Sequence, residues 1–236
     1  MKNKTLKNIT IILALFASLI YVAKFAGPEL LKLYIGYGIG DCRKVPVLCV
    51  IPSEEIVNPL VDSQYLEGLT LYNFPDLKIY LPKTFLVTKE KIKKVYYKRA
   101  RRAKDEDVAF LLYEKPYFFI NLFPQSKKSG VKNDYEFFRK IMYARLDQVQ
   151  GLMDAFFVIV KSVFIPDLGD SKSLRMVSLS TPDLKGFIVY SLTPGGNYFD
   201  CNLFSQKDEF FKVYIKDKSA QLDLAKVLTI ISNINK

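Results

Sequence analysis

Four short runs near the C-terminus decide the fold: Leu174-Arg-Met-Val-Ser-Leu-Ser180, Gly186-Phe-Ile-Val-Tyr-Ser-Leu192, Tyr198-Phe-Asp-Cys-Asn-Leu-Phe-Ser205 and Glu209-Phe-Phe-Lys-Val-Tyr-Ile-Lys216. Each is rich in β-branched and aromatic residues and has strand length. Turn-forming groups separate them: Thr181-Pro-Asp183, Thr193-Pro-Gly-Gly-Asn197 and Gln206-Lys-Asp208. Connections this short join antiparallel neighbours, so the runs predict a four-strand meander. Ser219 then caps a last helix with the apolar stripe Leu224, Val227, Leu228, Ile231 and Ile234, which covers one face of the sheet.

Upstream, Asn133 and Glu136 have capping-box spacing. Phe138, Ile141, Met142, Arg145, Val149, Leu152, Phe156 and Val160 follow at helical spacing, which predicts one long helix that bends at Gly151. Phe156–Ile165 is apolar on all sides apart from Lys161 and Ser162, the pattern of a helix buried between layers. Two strand pairs precede it: Leu69–Phe74 with Leu77–Leu81, and Val108–Tyr113 with Tyr117–Phe123. The expected fold is therefore α+β: an antiparallel sheet built from strand pairs, a long helix, a four-strand meander and a C-terminal helix. It occupies residues 69–236, long enough for one domain with its own core.

This order of elements resembles the PsbP-like α/β/α sandwich. The likeness is carried over residues 134–236 by Lys185-Gly-Phe-Ile-Val189, by Tyr198, Cys201 and Leu203, by Phe211-Lys-Val-Tyr-Ile215 and by the Ile-rich end Leu228–Ile234. It is a likeness of arrangement, and no site residue carries over from it. It implies a small extracytoplasmic domain that binds a larger membrane assembly without an active site of its own.

The chain has 236 residues, a formal net charge of +11, no His and 3 Cys. The charge is local. Residues 1–8 hold Lys2, Lys4 and Lys7, and residues 89–104 hold nine cations against Glu90; the remaining 23 basic and 23 acidic residues balance. Ile9–Ala23 is free of charge, and Leu6–Ala26 reaches the length of a membrane span. No small-residue cleavage pattern follows it. Residues 1–26 are thus expected to be a signal anchor, a single-pass transmembrane helix with the globular domain on the extracytoplasmic (periplasmic) side. Residues 27–68 are expected to be a juxtamembrane connector. Within it Gly36-Tyr-Gly38-Ile-Gly40 loosely echoes a dinucleotide loop, but Val45-Pro46 follows where that loop needs a helix. Cys42 and Cys49 form a disulfide or remain two thiols, since spacing alone does not fix pairing.

The second basic feature places Lys91, Lys93, Lys94, Lys98, Arg99, Arg101 and Arg102 beside Tyr96 and Tyr97. Anionic lipid head groups, nucleic acid and an acidic patch on a protein partner all suit such a run; so does a plain solvated face balanced by Asp105, Glu106 and Asp107. Without His there is no Ser-His-Asp triad and no His-ligated metal. Neither the acidic trio, nor Asp167 with Asp170, nor Ser171-Lys172 converges on a catalytic role, and no residue pattern calls for a cofactor or metal. The expectation is a non-enzymatic domain that binds a protein partner or envelope complex, with binding of an anionic ligand through residues 89–104 as the alternative.

Overall fold

The computed structural model describes residues 26–74, 77–88, 107–166 and 173–234. The meander forms as the four runs require: β6 (Leu174–Ser180), β7 (Leu184–Thr193), β8 (Gly196–Ser205) and β9 (Phe210–Asp217) pair antiparallel in sequence order. At Gly186 an added Cβ would lie 2.2 Å from the carbonyl oxygen of Asn202, so close approach of β7 to β8 requires glycine there. β5 (Val108–Glu114) extends the sheet antiparallel to β9.

The two outer strands correct the expectation of a purely antiparallel sheet. β1 (Glu55–Val57) lies parallel to β6, and β4 (Leu86–Thr88) lies parallel to β5, giving the seven-strand mixed order β1-β6-β7-β8-β9-β5-β4. Residues 89–107, which connect β4 to β5, are long enough for the crossover that a parallel pair requires. β2 (Thr70–Phe74) and β3 (Leu77–Leu81) form a separate hairpin, as their spacing predicts.

Three helical regions differ from the sequence reading. Tyr117–Phe123 is not a strand: Tyr117 takes a left-handed conformation, and α3 (Phe118–Leu122) follows. The helix buries Phe119 and Ile120, and the carboxylate of Asp134 accepts the Ile120 N–H at 3.0 Å. The long helix is two: α4 (Asp134–Tyr143), capped by Asn133, and α5 (Leu152–Phe164), with Gly151 as its N-cap. The break starts at Ala144, before the bend expected at Gly151, and runs to Gly151, with a 3₁₀ turn at Leu146–Gln148 inside it. The C-terminal helix α6 (Leu224–Ser232) is capped by Asp223 rather than Ser219.

The segment expected to be a connector packs into the body. α1 (Gly27–Gly38), a 3₁₀ turn at Pro46–Leu48, β1 and α2 (Ser63–Glu67) all lie within residues 27–68. Ile35 and Leu48 are buried with Leu146, Val149, Ala155 and Val158. The expected anchor is also corrected. No helix among the described residues is long and apolar enough to cross a membrane, and the first of them, α1, has only 12 residues. Residues 1–25, on which that expectation rests, lie outside the described residues. A single-pass membrane placement is therefore not supported.

The result is three layers. On one face of the sheet, α6 and the β2–β3 hairpin close a core around Val177, Ile188, Phe199, Cys201, Val213 and Ile215. On the other, α3, α4 and α5 close a second core rich in Phe.

Candidate partner-binding surface

α1 is apolar on both sides. Leu31 and Ile35, with Ile39 beyond its end, face Leu48, Leu146, Ala155 and Val158. On the opposite side Leu30, Leu33, Tyr34 and Tyr37 are 62, 68, 76 and 96% exposed. Their i, i+3, i+4, i+7 spacing makes them one continuous stripe. The Lys32–Glu29 ion pair at 2.7 Å lies between the two faces in sequence and neutralises the helix locally. A surface helix ordinarily turns charge outward, so an outward stripe of two Leu and two Tyr is the anomaly on this surface.

Local chemistry holds α1 in place. Gly40, at φ +131°, ends the segment, and a Cβ there would meet Val45 Cγ2 at 2.8 Å. Asp41 Oδ1 accepts the N–H groups of Arg43 and Lys44, both at 3.0 Å. The Lys44 N–H bond, above all, draws the Asp41 carboxyl below its ordinary range. Cys42 is bonded to Cys49 with Cα atoms 5.6 Å apart, which clips the end of α1 to the 3₁₀ turn beneath it.

α5 is the support on which α1 rests. Ala155 and Val158 face α1, while Phe157 and Val160 enter the Phe-rich core. Its outer row, Leu152, Ile159 and Val163, is also exposed. Lys161 is fully buried and donates to Val50 O at 2.6 Å, Met142 O at 2.9 Å and Ala144 O at 2.9 Å. Three N–H groups meet three carbonyls, two of them at the C-terminal end of α4, where helix carbonyls lack partners. Burial, and secondarily the charge of Arg145, pushes the Lys161 ammonium down to about 7. Arg145 itself grips Asp147 with two nitrogens, and this bond holds the Asp147 carboxyl below its usual range. The surface is therefore built on a pinned base.

The basic residues singled out from sequence, Lys91, Lys93, Lys94, Tyr96, Tyr97, Lys98, Arg99, Arg101 and Arg102, lie outside the described residues, as do Asp105, Glu106, Asp167, Asp170, Ser171 and Lys172. Asp107 is described, and it is a structural carboxylate. It accepts the Lys218 N–H at 2.7 Å, the Ser219 N–H at 3.1 Å and the Ser219 hydroxyl at 3.0 Å, holding the turn after β9. Among the described residues no group of three or more His, Cys, Asp or Glu is placed to hold a metal ion.

Sequence reasoning missed a buried polar centre on the helical face of the sheet. Asp200 and Asn202 of β8 and Lys212 of β9 lie under the end of α5. Lys212 Nζ lies 2.9 and 3.0 Å from the two Asp200 oxygens and donates to Phe164 O at 2.8 Å. Asn202 Nδ2 donates to Asp200 Oδ2 at 2.9 Å. The available signal was the regular interleaving of polar with apolar residues in Phe199–Leu203 and Phe211–Lys216. No protein-family model matches this chain, and no curated protein sequence matches it.

Proposed function

We propose that this chain is a binding domain that docks a protein partner on the outer stripe of α1. One observation carries the reading: Leu30, Leu33, Tyr34 and Tyr37 line one helix face, are mostly exposed, and sit on a base fixed by a disulfide and a buried lysine. Covering a Leu side chain contributes roughly 1.5–3 kcal/mol, a favourable term set against the ordering cost of association. Tyr adds contact area with little loss of side-chain freedom, which is why aromatic residues concentrate at interface centres. The resemblance to PsbP-like domains points the same way. The test is a photo-crosslinking amino acid placed at Tyr34 or Tyr37 in cells, with exposed Lys78 as the control position. A discrete protein adduct from positions 34 and 37, absent at 78, is the expected result. No adduct, or adducts to lipid alone, defeats the reading.

A second reading is an anionic ligand held by residues 89–104. It rests on the nine cations that the sequence places in that segment, between β4 and β5. Binding of anionic vesicles or oligonucleotides that is insensitive to salt, or unchanged when the Lys and Arg residues are replaced by Gln, excludes it.

A further inference from the structure

A groove of about 700 Å³ lies between α4 and α5, within the size range of small-ligand sites. Its α4 side presents Glu136, Arg139, Lys140 and Tyr143, the i, i+3, i+4, i+7 face opposite to the one that buries Phe138, Ile141 and Met142. Met153 and the buried Phe157 of α5 supply an apolar floor, and Lys132 comes from the strand of chain before α4.

The charges around it are unequally engaged. Glu136 Oε2 already accepts the Lys132 N–H at 2.7 Å, and Asp154 Oδ2 accepts the Gln150 N–H at 3.0 Å. Arg145 is taken up by Asp147. The side chains of Lys132, Arg139 and Lys140 have no ion-pair partner among the described residues. Behind the wall, the buried Lys161 Nζ donates to the carbonyl of Ala144, a lining residue, and fixes that part of the groove in place. Unpaired cations over an apolar floor, with a tyrosine at the rim, suit a ligand that joins an oxyanion to an apolar body.

We infer that the groove between α4 and α5 binds a small organic oxyanion, its phosphate or carboxylate on Arg139 and Lys140 and its apolar part on Met153 and Phe157. This site is separate from the α1 stripe, and either can fail without the other. Arg139 and Lys140 are exposed, so their removal leaves the fold intact, and a thermal melt checks this.

The experiment titrates the whole chain with phenyl phosphate, benzoate and inorganic phosphate, followed by backbone amide NMR at Gly130, Val131 and Ala144. Shifts at these amides with phenyl phosphate or benzoate are expected, and the better of the two identifies the oxyanion. The double variant Arg139→Gln/Lys140→Gln is expected to weaken that binding at least tenfold. A chain with residues 89–104 neutralised should bind as the wild type does. Shifts that persist in the double variant, no shifts at the groove, or inorganic phosphate binding as tightly as phenyl phosphate would each overturn the proposal.

Discussion

The two faces of the sheet are made differently. Strand side chains alternate between faces, so β8 and β9 send Phe199, Cys201, Leu203, Val213 and Ile215 to one side and Asp200, Asn202, Lys212 and Lys216 to the other. The first face is apolar at its centre beneath α6, where its stabilisation is packing; the buried Asp217 at its edge accepts the Leu222 N–H at 2.6 Å. The second is also buried, yet it holds an ion pair beneath α5. Burying charges costs several kcal/mol per ion unless partners compensate, so the centre of the second face depends on the Asp200–Lys212 pair in a way the apolar centre of the first does not. Of the helices covering the second face, α4 and α5 line the groove, and α5 is also the support on which α1 and its exposed stripe rest. The apolar face is a foundation, and the polar face is coupled to the working surface.

Removing one partner of the ion pair should have the largest effect. Asp200→Ala leaves the buried Lys212 short of its carboxylate and should cost about 3–5 kcal/mol in urea unfolding. Asp200→Leu combined with Lys212→Met should recover most of that loss; if the single and double variants are equally unstable, the contrast between the faces fails. On the apolar face Ile188→Ala should cost about 2–5 kcal/mol through the cavity it leaves, and a second apolar substitution would not rescue it. Asp107→Ala belongs to neither face. It strips two backbone N–H groups at the end of the sheet of their acceptor and should cost about 1–3 kcal/mol.

Lys161 gives a pH test of the helical layer. Its folded value, about 7, lies below the ordinary 10.5. Between these values the unfolded chain binds the proton and the folded chain does not, so this group makes stability rise as pH increases from about 7 to 10.5. Below pH 7 both states are protonated and the increment is absent. Urea midpoints at pH 6.5 and pH 9.5 should therefore diverge more in the wild type than in Lys161→Met, and equal slopes would show that the three carbonyls keep the ammonium charged throughout. The smallest stability effect belongs to the α1 stripe: Tyr34→Ser and Tyr37→Ser should each change unfolding by no more than about 0.5 kcal/mol.

The meander was legible because turn residues and β-rich runs are local signals. The N-cap at Asn133 was legible for the same reason, since Asn133 Oδ1 accepts the Glu136 N–H at 2.8 Å, although Glu136 takes the Lys132 N–H and not that of Asn133. Tyr117–Phe123 misled because a short aromatic run has no clear period, and burial of Phe119 against Phe137, Phe138 and Phe210 decided it. The parallel edges could not be read because they depend on where the chain returns. In Asp200 and Lys212 the alternation was visible, but it describes a half-exposed strand equally well; only the position of α5 makes that face an interior. The α1 stripe hid in a stretch that is greasy throughout, where sequence does not tell which side finds a partner.

The most direct test of the account combines position and chemistry in one chain. A photo-crosslinker is placed at Tyr37 with and without Leu33→Glu, and unfolding is measured on the same preparations. The account predicts a discrete protein adduct that disappears with Leu33→Glu while the unfolding midpoint stays unchanged. An adduct indifferent to Leu33→Glu, or none in either chain, would contradict it.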